Sequence, residues 1–348
     1  MAKTKVAILA STGAVGQRFV QLLENHPWFE VAALTGSDRT IGQTYAEGCR
    51  WILPEPMPEY ARGMPIVPTA PGFDAALAFS ALPADQAKEL EPELARAGYA
   101  VSSNASALRA WPDVPLLIPE VNPGHTRLID GQRKARGWKG FVVTNPNCTS
   151  TGMTIAFKAL QDGFGLKRAV VVSMQALSGA GYPGVASLDI IDNVVPYIGG
   201  EEEKVENEPR KMLGRFDGQG IEPAPVRISA HTNRVAVTDG HMVCVSAELE
   251  REASPAQVSL CLREFQAPAA VRELPSAPRQ VIEVRDEADR PQPRKDRNAG
   301  RGMTTVVGRV RPDPLFHVKF VVLSHNTIRG AAGASILNAE WLKAEGRL

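Results

Sequence analysis

Between residues 5 and 34 the chain runs Lys-Val-Ala-Ile-Leu-Ala, then Ser11-Thr12-Gly13-Ala14-Val15-Gly16, then a helix-like stretch from Gln17 to about Asn25, and then Phe29-Glu-Val-Ala-Ala-Leu34. A short apolar strand, a glycine-bearing turn, a helix and a second apolar strand predict the start of a parallel sheet, because a crossover returns the chain in the same direction. The same order opens a dinucleotide-binding unit, in which the turn lets backbone N–H groups approach a pyrophosphate. Ala10 stands where the fingerprint has a glycine, leaving Gly13 and Gly16. On this segment alone, a plain turn in a domain that binds no nucleotide stays open. Strands at 75–80 and 100–103, with a helix over 84–97 between them, extend the sheet and end in small or polar residues, Ser80 among them, where ligands sit in open parallel sheets.

After residue 150 the pattern changes. Strand-like segments at 168–174, 226–229, 241–248 and 316–323 alternate or run long, and suit an antiparallel or mixed sheet with helices on one face. The fold class is therefore α/β: a Rossmann-type dinucleotide-binding domain over 1–147, and an α+β substrate and dimerisation domain over 148–326. A closing helix within 327–348 is expected to pack back on the first domain. The charged stretch 285–301, interrupted by Pro291 and Pro293, reads as a solvated loop.

At 348 residues the chain is long enough for two cores, and a net charge of +1 with 22% charged residues excludes a nucleic-acid-binding tract or general disorder. No stretch reaches membrane-spanning length, and Met1 to Lys5 leads straight into a strand, so a cytoplasmic enzyme is expected. Four cysteines without zinc or disulfide spacing suit a reducing compartment, and no metal site is expected. Cys244 and Cys261 read as packed core thiols, whereas Cys49 is less defined.

Cys148 differs. It lies in Asn145-Pro146-Asn147-Cys148-Thr149-Ser150, ahead of a helix-like run over 151–160 with Met153, Ile155, Phe157 and Leu160 roughly on one side. A helix start, with its unpaired N–H groups and positive dipole end, favours a thiolate nucleophile. Far downstream, Gly240-His241 supplies a candidate acid/base partner, although from the residues alone an ordinary histidine at a strand start is the stronger reading.

Seven segments in order resemble the aspartate-semialdehyde dehydrogenases, most closely those of archaea and fungi. They are Thr12-Gly-Ala-Val-Gly-Gln17, Ser103-Asn-Ala-Ser-Ala-Leu-Arg109, Asn145-Pro-Asn-Cys-Thr-Ser150, Gln175-Ala-Leu-Ser-Gly-Ala-Gly-Tyr-Pro-Gly184, Gly200-Glu-Glu-Glu-Lys204, the stretch from Arg234 to His241, and Ser324-His-Asn-Thr-Ile-Arg-Gly-Ala-Ala332. The resemblance implies reversible reduction of L-aspartyl 4-phosphate to the semialdehyde through a Cys148 thioester, with release of phosphate. By the same resemblance, His241 exchanges a proton with the hemiacetal oxygen, and Asn147 orients substrate or donates to the oxyanion. Arg234 grips the substrate carboxylate, Arg109 and Lys204 hold the phosphate, Glu201 meets the amine, and Gln175 positions the acyl carbon's surroundings.

The resemblance further implies that Ser178, Gly179 and Asn326 flank the nicotinamide. After the second strand, Ser37, Arg39 and Thr40 offer themselves to a 2′-phosphate, so NADP is the expected cofactor, with Asp38 opposing that choice. A homodimer or homotetramer is implied by the family. Malonyl-CoA reduction by the same thioester chemistry, a dinucleotide-binding regulator and a thiol hydrolase are the alternatives.

Overall fold

The computed structural model describes residues 2–348. Six parallel strands, β1 (Thr4–Leu9), β2 (Phe29–Gly36), β3 (Ile66–Pro68), β4 (Leu77–Ser80), β5 (Ala100–Ser103) and β6 (Phe141–Thr144), form one sheet in the order β3-β2-β1-β4-β5-β6. The order reverses between β1 and β4, which opens a crevice at their carboxyl ends. Both faces are covered, as apolar parallel strands require. Ile8 and Phe79 pack with Ala332, Ile336, Ala339 and Leu342 at the chain's end, whereas Ala7 and Ala78 pack with Ala87, Leu94 and Ala95 of the helix Ala84–Ala97.

The chain continues with β7 (Leu166–Gln175), a small ribbon of β8 (Arg215–Phe216) and β9 (Ile221–Glu222), and then β10 (Arg227–Arg234), β11 (His241–Leu249), β12 (Ile282–Arg285), β13 (Thr305–Pro312) and β14 (Val318–Ser324). The second large sheet has the order β10-β7-β11-β14-β13-β12 and is mixed, since β10 runs parallel to β7 and β12 parallel to β13. The helix Glu201–Met212 makes the first crossover, which alternation within single strands does not reveal. The helix Cys148–Phe164 covers the sheet through residues such as Ile155 and Phe157, in one core with Val171 and Val243.

Three readings of the sequence are corrected. The segment 285–301 is more than a solvated loop: buried Asp296 accepts from Arg290 Nε at 2.7 Å and from the Gln292 N–H at 2.6 Å, closing the β12–β13 connection. Cys244 is exposed, because strand alternation turns it to the face of β11 opposite Val243 and Val245. The first helix begins at Ala14, directly after Gly13, three residues earlier than its apolar pattern suggests. Strands β3, β6, β12 and β13 carry no clear sequence signal; the first three are short, and β13 is broken by Gly308 and a left-handed Arg309 at φ 56°.

Ala10, in place of the fingerprint glycine, nonetheless takes the left-handed conformation at φ 53°. The turn thus keeps a glycine's path at the cost of a strained alanine. Gly16 packs the helix onto this turn, since a Cβ there would lie 2.3 Å from the Ala10 carbonyl oxygen. Ala10→Gly is expected to stabilise the fold by about 1 kcal/mol, read as a raised Tm in thermal denaturation; an unchanged or lowered Tm rejects the strain.

Candidate active site

Asn147 is the N-cap of the helix Cys148–Phe164, its Oδ1 accepting from the N–H groups of Thr149 at 2.9 Å and Ser150 at 3.2 Å. That cap fixes Cys148 at the first turn. Behind it, a Cβ at Gly330 would fall 2.6 Å from the Cys148 Cβ, so only glycine lets the segment before the closing helix pass this close. Arg329, beside Gly330, is anchored by a fully buried bidentate pair with Glu120, at 2.8 and 2.9 Å.

His241, at the start of β11, brings Nε2 to 3.2 Å from Cys148 Sγ. Its Nδ1 accepts the Ala176 N–H at 3.0 Å, and a backbone N–H can only donate, so the neutral ring carries its proton on Nε2. Burial, with the Arg234 charge adding to it, holds the imidazole down at about 3. In the free protein His241 is therefore a neutral donor aimed at the sulfur.

The thiol is likewise pushed up, to about 12, by burial first and the Glu201 charge second, against the lowering influence of Arg109, Arg234 and the Thr149 N–H. The helix start therefore does not make a thiolate in the free protein. Asn147 already takes two of its N–H groups, and desolvation outweighs what remains.

Glu201 and Lys204 lie on one face of the helix Glu201–Met212, 3.2 Å apart. The Glu201 carboxylate also accepts both of its contacts from Asn147 Nδ2, at 2.9 and 2.8 Å, and one from Gln175 Nε2 at 3.2 Å. Asn147 thus holds both the start of the nucleophile's helix and the Glu201 carboxylate. Arg234 and Gln175 stand opposite each other at the ends of β10 and β7, and Arg234 Nη1 donates to the Ala176 carbonyl at 2.7 Å. Gly179 is wedged against both Arg234 and His241, where a Cβ would come within 2.9 Å of each. Arg109, from the loop after β5, reaches the same region and pairs with Glu208 at 3.0 Å.

On the cofactor side, Thr12, Gly13, Ala14 and Val15 line a cleft with Arg50, Ala81 and Tyr182. A neighbouring cavity of about 420 Å³ is lined by Arg18, Ser178, Thr238, Asp239, Arg297 and Thr327, among others. Asn326 is buried, donating to Ser178 Oγ and accepting the Gly240 N–H, each at 2.8 Å. Ser37 and Arg39 are exposed in the loop after β2, with the Thr40 hydroxyl turned back on the Ser37 carbonyl.

Two predicted residues do not face the cleft. The Ser11 hydroxyl donates to the Thr35 carbonyl inside the turn, and Ser80 is wholly buried, its Oγ accepting the Leu82 N–H, so that Ala81 takes the wall position. Each hydroxyl is instead taken up by a nearby backbone group, the Thr35 carbonyl or the Leu82 N–H. Arg50 and Tyr182 were missed. They meet across the cleft, guanidinium over ring at 5.2 Å, from segments without periodic signal. Glu208 and Lys211 were missed too, although each lies seven residues after Glu201 and Lys204, two helical turns along the same stripe.

Residues 5–129 match the model of the semialdehyde dehydrogenase NAD binding domain, and residues 157–329 that of the semialdehyde dehydrogenase dimerisation domain. The class is that of the semialdehyde dehydrogenases. The aspartate-semialdehyde dehydrogenase of Archaeoglobus fulgidus is 52% identical over 341 residues, spanning 98% of each chain, and that of Cryptococcus neoformans is 46% identical over 97% of this chain and 96% of its own. A crystal structure of aspartate semialdehyde dehydrogenase with NADP from Candida albicans matches with a TM-score of 0.91 at 40% identity, over 100% of both chains. The chain belongs to the aspartate-semialdehyde dehydrogenase family.

With the thiol near 12, alkylation of Cys148 by iodoacetamide in the free protein is expected to climb about tenfold per pH unit from pH 7 to 10 without a plateau. Glu201→Gln, which removes a repelling charge, is expected to speed it at fixed pH. Mass spectrometry of the labelled peptide reads both, and a plateau near pH 7 rejects the buried neutral thiol.

Proposed function

We propose that this protein reduces L-aspartyl 4-phosphate to L-aspartate 4-semialdehyde with NADPH, reversibly, through a thioester on Cys148, in the synthesis of lysine, threonine and methionine. The observation that carries this reading is the pair of Cys148 Sγ and His241 Nε2, 3.2 Å apart at a capped helix start, surrounded by Glu201, Lys204, Arg234 and Arg109. A substrate bearing a carboxylate, an ammonium and a phosphate needs cationic anchors and an anionic one, and these four side chains supply them. Arg234 takes the carboxylate, Glu201 the ammonium, and Arg109 with Lys204 the phosphate. Glu201, already paired with Lys204 at 3.2 Å, offers an anionic partner that an ammonium-bearing substrate can use and malonyl-CoA cannot.

The cofactor cleft fits a dinucleotide phosphate. The turn 12–15 walls a cavity of about 400 Å³ with the Arg50 guanidinium. Ser37, Arg39 and Thr40 would meet the 2′-phosphate, and Ser178, Gly179 and Asn326 the nicotinamide side. When bound, the reduced nicotinamide supplies a hydride to the acyl carbon. The exposed face of the second sheet, with Val170 and Cys244, and the neighbouring Leu188, Ile191, Val194 and Tyr197, support assembly into a homodimer or a homotetramer through this region. Among the described residues no helix is long and apolar enough to cross a membrane.

Acylation balances without a separate base. As Cys148 Sγ bonds to the acyl carbon, the C–O bond to phosphate breaks and the thiol proton leaves with it as hydrogen phosphate. The thiol character imposed by burial is compatible with this route, because the leaving group carries the proton away. His241, fixed as a donor by the Ala176 N–H, shifts its Nε2–H from sulfur to the oxygen on the acyl carbon as negative charge develops there. After reduction the C–S bond breaks, and Cys148 departs as a thiolate that His241 again faces before water restores its proton.

The expected outcome for Cys148→Ser is loss of phosphate- and aldehyde-dependent NADP reduction, followed at the absorbance of the reduced nicotinamide. Arg234→Ala is expected to cut kcat/KM for the aldehyde by roughly tenfold or more, on the scale of one lost charged contact, and unchanged kinetics would remove Arg234 from the site. NADP is expected to be preferred to NAD; equal kcat/KM values for the two would reject the assignment of Ser37, Arg39 and Thr40.

A further inference from the structure

Lys211 sits one turn beyond Glu208 on the helix Glu201–Met212, and its Nζ donates to three carbonyls of a single loop: Arg109 at 2.8 Å, Trp111 at 2.8 Å and Val114 at 2.9 Å. An ammonium has three N–H groups, so all are consumed and none remains for a ligand. The loop it grips follows β5 and carries Arg109. The helix it extends from carries Glu201 and Lys204.

Arg109 is itself held at two further points. Nη1 donates to Glu208 at 3.0 Å and Nη2 to the Asn104 carbonyl at 2.7 Å, which fixes the plane of the guanidinium. Its Nε is buried and has no partner among the described residues. A buried, unpaired guanidinium N–H is costly until an acceptor such as an anion satisfies it. Arg109, Lys204, Glu208 and Lys211 together line a cavity of about 470 Å³ that shares no wall residue with the cofactor cavities.

We infer that Lys211 is a positioning residue for phosphate recognition: it ties the Arg109 loop to the helix bearing Lys204 and so sets the spacing of the two phosphate anchors. The assignment rests on the phosphate role proposed above for Arg109. Lys211 acts on the phosphate only through Arg109. Its removal frees three carbonyls and loosens the loop backbone that carries Arg109, leaving Glu208 and the Asn104 carbonyl as its remaining holds, while the Cys148–His241 pair and the cofactor cleft lie on other elements.

Binding of inorganic phosphate to the full-length chain, measured by titration calorimetry, tests this without requiring turnover. Lys211→Met is expected to raise the Kd for phosphate at least tenfold, and Arg109→Ala to do the same. The double variant is expected to lose little more than either alone, because both changes remove one interaction. Lys211→Arg keeps the charge but spreads its donors over a planar fork that cannot converge on three carbonyls at one point, so its Kd is expected between wild type and Lys211→Met.

In steady-state assays of aldehyde oxidation, the KM for phosphate should rise with the Kd, while those for NADP and aldehyde stay within about twofold. A folded Lys211→Met or Lys211→Arg protein with wild-type phosphate affinity overturns the inference. So does an additive double variant, a uniform rise of all three KM values, or a wild-type chain that binds no phosphate. If wild type binds phosphate but does not reduce NADP with it, the proposed reaction fails while the calorimetric series still decides the role of Lys211.

Discussion

The amide of Asn147 is the joint on which the site depends. Its oxygen closes the start of the nucleophile's helix, its nitrogen holds the Glu201 carboxylate, and its own backbone N–H donates to Glu208 at 2.5 Å. One residue thus ties Cys148 to the helix that carries Glu201, Lys204, Glu208 and Lys211. The position of the sulfur relative to Glu201 and Glu208 is set by these bonds and by the close passage of Gly330 behind it. Buried polar groups joined in this way give a defined geometry because each would be costly to leave unpaired.

Desolvation governs the chemistry available in the free protein. Burial raises the Cys148 thiol and lowers the His241 imidazole, so the pair rests in its neutral form, although Arg109 and Arg234 stand near the sulfur. A thiolate–imidazolium pair would need those cations to overcome both the burial and the Glu201 charge. The Ala176 N–H settles the remaining question of which ring nitrogen carries the proton, and with it the direction of the hydrogen bond to sulfur.

The legible part of the site was the part with local signals. Cys148 was readable from its place ahead of an apolar helix, whereas Glu201 and Lys204 stood out only through the family resemblance; their partners in space were not legible. Ser11 and Ser80 have the composition of ligand-facing residues, yet each hydroxyl is taken up by a backbone group that only the folded chain brings near. Arg50 and Tyr182 lie far apart in sequence and meet only because the two sheets approach across the cleft. Glu208 and Lys211 could have been found by following the stripe of Glu201 and Lys204 for two more turns.

What the sequence determined by itself was what short-range periodicity and turn chemistry can encode: a parallel sheet opened by a glycine turn, a change of architecture after residue 150 and a nucleophile at a helix start. Tertiary structure alone decided the mixed order of the second sheet, the protonation of the Cys148–His241 pair, and the clamp that Lys211 places on the Arg109 loop. Each of these depends on burial or on contacts across about a hundred residues, as between Lys211 and Arg109, or His241 and Cys148. Desolvation and long-range pairing have no counterpart in local pattern, because they exist only once distant segments exclude water from one another.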